Sequence, residues 1–401
     1  MPRVLAGQER VQGDGRFDDF LSRRGFEGRE NLTSFSMKAS SVFRAGEWVE
    51  VRSKEDILRT LDNRGQLEEL PFMPEMFEFC GQRFRVFKRA HKTCDPPNGF
   101  GGRRMLHAVH LEGVRCDGKA HGGCEARCLV FWKEAWLKKV DDETESGAKP
   151  QQASIPDARF EGRRGCTESD VVAGTRSRDD RENSGEQIFI CQSSQLSQAT
   201  QPIQKWDLYQ YAEDYLSGNV PLLSLLTTFL LFVYREIESA GLGLGSALRW
   251  VYDIIQRLYG GTPYPWRIGK IAAGATTPSA KLDLQPGELV RIRNYNEILP
   301  TVNENGYNRG MSFDPEMVPY CGRTYRVLAR INQIINEKTG KMQRFKNECI
   351  VLDGVVCMAC YARYRRFCPR SIYPYWREIW LERVGPNTSS SNGADLAAAR
   401  R

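Results

Sequence analysis

The chain has 401 residues, 41% of them hydrophobic and 10% aromatic, enough apolar surface to build cores and to exclude a wholly disordered polymer. That length allows two or three domains. A net charge of +7, from 57 basic and 50 acidic residues, is too mild to imply nucleic acid by itself.

The opening MPRVLAGQERVQGDGRFDDF carries no apolar stretch of the kind a secretory signal needs. Twelve cysteines without an export signal point to reduced thiols or metal ligands rather than disulfides, and so to the cytoplasm. Residues 1–43, rich in Arg, Gly, Ser and Asp, read as a disordered arm. A first folded unit spans 44–140. Within it Gly46–Arg52 reads as a strand, and Ser53 caps a short acidic-first helix ending near Leu61. Arg83–Phe87 and Ala108–Val114 alternate well enough to pair antiparallel, and 129–132 and 135–140 supply the last strands.

Residues 141–202, full of Ser, Gln, Glu, Arg and Asp, read as a disordered linker, which takes Cys166 and Cys191 out of the candidate ligands. Residues 203–261 read as helical. Pro221 suits a first helical turn, and VPLLSLLTTFLLFVY (220–234) is nearly unbroken apolar or hydroxyl. As a helix this run covers roughly 23 Å, short of a ~30 Å hydrocarbon core. Burial in a helical hairpin, self-association and peripheral membrane contact in the plane of the interface fit it better than a true span, and all four readings stay open. Leu248, Val251, Ile255 and Leu258 mark one face of a second helix, closed by Gly260 and Gly261. A connector (262–286), a second folded unit (287–384) and a disordered tail (385–401) complete the chain.

The two folded units repeat each other. PFMPEMFEFCGQRFRV (71–86) returns as SFDPEMVPYCGRTYRV (312–327), 241 positions later. GEWVEVRSKEDIL (46–58) returns as GELVRIRNYNEIL (287–299), and LEGVRC (111–116) as LDGVVC (352–357). WKEAWLKKV (132–140) matches WREIWLERV (376–384) at an offset of 244. Two copies this far apart are a duplicated domain rather than a solenoid. Five short strands and one helix per copy predict an α+β, mainly β chain: two small SH3-like barrels flanking a linker and a helical hairpin. A small α+β sandwich is the alternative. The opening G-E-x-V-x-[VI]-R resembles the first strand of SH3-like and KOW-type domains.

The cysteines recur with the repeat: Cys80 with Cys321, Cys116 with Cys357, Cys124 with Cys368. Antiparallel pairing gathers each trio at one end of its hairpin. It puts His91, Cys94 and His107 at the other, roughly 23 Å away at ~3.3 Å per residue. The expected first site is Cys80, Cys116 and Cys124 with His121 or Cys128, from the dense CDGKAHGGCEARC. The second is Cys321, Cys357, Cys368 and Cys360, with Cys349 as substitute. Soft ligands in short loops suit tetrahedral structural zinc. Buried cysteines acting as small hydrophobes are the alternative. His91, Cys94, His107 and His110 read as exposed turn polars, or less simply as a Cys–His dyad or a second metal site. The run YARYRRFCPRSIYPYWR (361–377) could grip phosphates and stack bases, though a solvated loop over core aromatics accounts for it more simply.

F-M-P-E-M…C-G-x-x-[FY]-R-V, R-C-D-G-x-A-H-G-G-C and FCPRSIYPYWREIWLERV (367–384) resemble an uncharacterised bacterial family with two Cys-containing repeats around a helical segment. The resemblance implies the domain organisation and no activity. The expected function is a non-enzymatic binding or scaffold protein, with an unidentified protein partner and no oligomeric state implied. A nucleic-acid-binding protein is the first alternative and a Cys/His-dependent enzyme or redox protein the second.

Overall fold

The computed structural model describes residues 43–96, 101–140, 165–177, 187–204, 207–240, 245–361 and 366–385. Apart from Phe43 and Gly385, the expected arm and tail lie outside the described residues. Val49 and Val51 are buried and Trp48 is exposed, the period-two pattern of a half-buried strand, β1 (Trp48–Val51). Ser53 then accepts from the Asp56 amide at 3.2 Å and starts α1 (Lys54–Thr60), which buries Ile57. A two-residue ladder, β2 (Gln66–Leu67) with β3 (Leu70–Pro71), precedes a 3-10 turn over Pro74–Phe79. There follow β4 (Arg83–Arg89), β5 (Lys92–Asp95), β6 (Gly101–Arg104), β7 (Ala108–Arg115), β8 (Leu129–Lys133) and β9 (Leu137–Lys139). The first sheet runs β8-β7-β4-β1-β9 and curls into half a barrel.

The middle of the chain departs from expectation. Residues 165–177 and 187–204 are not a free linker. Helix α2 (Glu168–Ala173) buries Val171, and Phe189, Cys191 and Leu196 join the first core. β10 (Gln201–Pro202) pairs with β6, which pairs with β5. The composition is polar, but each of these stretches keeps a few apolar residues for one surface of the first half. The rest of the expected linker, including 141–164 and 178–186, lies outside the described residues. Helices α3 (Tyr209–Leu216), α4 (Leu222–Ser239) and α5 (Gly245–Leu258) follow. α4 opens just after Pro221. Its apolar stripe is not buried: Leu223, Leu226, Phe229 and Leu230 are 53–72% exposed. Among the described residues no helix is long and apolar enough to cross a membrane.

The second half supplies β11 (Leu289–Ile292), α6 (Tyr295–Ile298), β12 (Tyr307–Asn308), β13 (Met311–Ser312), β14 (Thr324–Arg330), β15 (Gln333–Ile335), β16 (Met342–Arg344), β17 (Ile350–Leu352) and β18 (Leu381–Arg383). Its sheet runs β17-β14-β11-β18. The registers match across the halves. Trp48 faces Arg85 as Leu289 faces Arg326, and Val49 faces Lys139 as Val290 faces Arg383. Both sheets shift register at the same step, Val86/Lys88 and Val327/Ala329. Where β8 pairs Val109 with Trp132, the second half keeps one bridge, Ile350 with Trp376. The cores match as well. Phe72 meets Trp136 edge-on at 5.1 Å, and Phe313 meets Trp380 at 5.3 Å. The indoles of those tryptophans donate to Thr60 and Thr301 at 3.0 and 2.9 Å. The chain is therefore mixed α and β, built on two sheets of shared order.

A candidate metal centre at a cleft between the two sheets

Three ligand atoms, one each from Glu75, Cys116 and His121, lie within 4.8 Å of one another, the only such group among the described residues. Glu75 follows Pro74 in the 3-10 turn, and Cys116 comes directly after β7. His121 ends a second 3-10 turn, Lys119–His121, held between Gly118 and Gly122 at φ +72° and +64°. Both glycines are needed for space as well as for backbone sign. A Cβ at Gly118 would stand 1.9 Å from the Cys124 carbonyl oxygen, and one at Gly122 would stand 2.4 Å from the Phe189 ring.

The Cys116 thiol donates to Glu75 Oε1 at 3.1 Å, and His121 Nδ1 lies 3.2 Å from the same oxygen. His121 Nε2 is 3.1 Å from the Ile190 carbonyl oxygen, which can only accept, so Nε2 carries a proton. A neutral ring then turns its Nδ1 lone pair toward a carboxylate. Either a second proton or a cation between the two relieves that clash, and an outer hydrogen bond of this kind is what orients a metal-binding histidine. Burial, with Glu75 adding to it, drives the Cys116 thiol far above its ordinary range. Burial also works to raise Glu75, but the hydrogen bond and charge of His121 outweigh it, and the carboxyl is held below its usual range.

Cys116 and His121 also line a cleft of about 560 Å³ whose opposite wall comes from the second half, including Glu316, Ile335 and Tyr375. That volume is in the range of small-molecule sites. Three carboxylates line the second-half wall, and each is engaged. Asp314 accepts from the Glu316 amide, Glu316 from the amides of Cys360 and Tyr361, and Glu337 pairs with Arg370 at 2.5 Å.

The other expected ligands are dispersed. Cys80 caps the 3-10 turn beside Lys54. Cys124 Sγ accepts from the Ile335 amide at 3.4 Å, and Cys128 Sγ from Ser193 at 3.4 Å. In the second half Cys321 and Cys360 turn to the carbonyls of Met317 and Met358. Cys349 is buried in the second core. Cys357 packs against a small cluster of Cys94, Ala359 and Cys368. Among the described residues Cys321, Cys357, Cys360 and Cys368 form no ligand group, and Glu316, the repeat partner of Glu75, is held by backbone amides. The group holds Cys116 and His121 from the expected first site and adds Glu75, which was not among the expected ligands. The recurrence of P-E-M in both copies was the signal available.

Two further expectations change. His91, Cys94 and His110 are buried rather than exposed, and His107 alone of that set has a half-exposed side chain. Cys94 meets Cys368 across the two halves. The described arginines of 361–377 turn inward: Arg366 over the Phe232 ring, Arg370 to Glu337, Arg377 to the carbonyls of Arg309 and Glu348. Arg363 and Arg365 lie outside the described residues. Comparison with protein-family models and with curated proteins gives no match.

Proposed function

We propose that this is a non-enzymatic binding protein, braced by one zinc ion at Glu75, Cys116 and His121, whose ligand enters the cleft between the two sheets. Each sheet is read as the core of a small SH3-like barrel, on the strength of their shared order and register. The observation that carries the proposal is the convergence of the three ligand atoms at a point where two of their residues, Cys116 and His121, line the cleft. A thiolate and an imidazole favour zinc over magnesium or calcium. Zinc would also remove the Cys116 proton that burial otherwise retains. Three protein ligands would leave a fourth position on a tetrahedral ion, which an enzyme would use for water. Hydrolysis needs a free base beside that water, and the carboxylates of the facing wall are committed elsewhere. Binding is therefore better supported than catalysis.

Cobalt substitution tests the site. Cobalt(II) added to the zinc-free protein should give a thiolate-to-metal charge-transfer band that Cys116→Ser abolishes and Cys321→Ser leaves intact. Loss of the band in Cys321→Ser, or its persistence in Cys116→Ser, would remove the site.

A further inference from the structure

The candidate metal group uses one of the twelve cysteines, and two of the others meet across the halves. Cys94 lies on β5, opposite Gly102 of β6. Cys368 belongs to the second half, two residues before Arg370. The Cys94 amide donates to Cys368 Sγ at 3.2 Å, and the Cys94 thiol hydrogen-bonds the same sulfur. Both residues are buried, at 3% and 5% exposure. They are 274 positions apart in sequence and are brought together only by the docking of the β5–β6 hairpin on the second half.

We propose that Cys94 and Cys368 are a peroxide-responsive thiol pair that closes to a reversible disulfide between the two halves. Cys368 is the attacking sulfur. The hydrogen bond from Cys94, with the Arg370 amide and guanidinium behind it, lowers its pKa despite burial. The thiolate of Cys368 attacks one oxygen of hydrogen peroxide, forming an S–O bond as the O–O bond breaks. Hydroxide leaves and takes up the proton given up by Cys368. The resulting sulfenic acid is attacked by Cys94, so that the S–S bond forms, the S–O bond breaks, and hydroxide leaves as water with the Cys94 proton. Two thiols lose two electrons in all, and one peroxide yields two waters. A dithiol reverses the reaction by exchange.

The pair lies directly behind the cleft wall. Cys357 and Ile372 pack against it, and the same two residues line the cleft. Arg370 is part of the wall too, held by Glu337 and by the Ser193 hydroxyl at 3.0 Å. Loss of the Cys368 charge changes what Arg370 faces, so oxidation reaches the cleft as well as fixing the hairpin. The proposal does not depend on zinc, because neither sulfur belongs to the Glu75–Cys116–His121 group.

The test uses the full chain, reduced, with and without prior chelation, then exposed to a small excess of hydrogen peroxide. Free thiols are alkylated in denaturant and the unreduced digest is mapped by mass spectrometry. A peptide joining Cys94 to Cys368 is expected in both samples, lost on treatment with dithiothreitol. In Cys94→Ser the crosslink should vanish and Cys368 should become reactive to dimedone. Cys349→Ser, altering a thiol buried in the second core, should leave the crosslink unchanged. Recovery of both residues as alkylated thiols, or of Cys368 joined to Cys357 instead, would overturn the assignment. If Cys94→Ser fails to fold, the wild-type map decides alone.

Discussion

Lys92 and Asp214 form a buried ion pair, Nζ to Oδ2 at 2.5 Å, that fastens α3 to the β5–β6 hairpin. Asp214 is fully buried and also lies 3.2 Å from His91 Nε2, while Lys92 sits over the rings of Tyr211 and Phe367. Removing one member leaves the other as an uncompensated charge. Asp214→Asn should therefore cost about 3–5 kcal/mol in urea unfolding. The double change Lys92→Met with Asp214→Leu should cost much less, since both charges go together. Equal losses in the single and double variants would mean that the pair is not what holds α3.

His110 gives a pH dependence. It is fully buried, and Nδ1 donates to the Val130 carbonyl at 2.8 Å. Burial pushes its pKa down from 6.5 to about 3. The folded state holds the ring neutral where the unfolded chain would protonate it. Its contribution is complete above pH 6.5 and is lost as pH falls from there toward 3, on the order of 4–5 kcal/mol at the limit. Glu75, whose pKa is lowered from 4.5, adds to the loss only below that value. Between pH 6.5 and 4.5 the urea midpoint of wild type should fall relative to that of His110→Gln. Parallel midpoints across that window would show that His110 is not held neutral.

The sequence and the structure agree most closely where the repeat is strict. The blocks at offsets of 241 and 244 hold the strands that pair in matching register, although the registers and the Trp136 and Trp380 contacts are legible only in the structure. The linker reading failed for a physical reason. Phe189, Cys191 and Leu196 are too few to mark a folded segment by composition, yet they suffice to cover a core that the first half leaves open. The candidate metal group was half legible. Cys116 and His121 stood in an unusual Gly-rich spacing, but Glu75 and the Ile190 carbonyl come from segments that only tertiary structure brings near.

The apolar stripe of α4 lies in solvent, so charging it should not bury charge. Leu226→Lys with Leu230→Lys, at 53% and 66% exposure, should change unfolding stability by less than about 0.5 kcal/mol per site. The variant should also scatter less light at high protein concentration. A loss of several kcal/mol would instead mean that the stripe is covered in the native protein.

Zinc content tests the central claim most directly. Protein purified without added metal or chelator should carry about one zinc per chain, coordinated by three protein ligands. Cys116→Ser and His121→Ala should each lose it, while Cys321→Ser and Cys94→Ser should keep it. A metal-free wild type, two zinc ions per chain, or a Cys116→Ser variant with undiminished zinc would contradict the account.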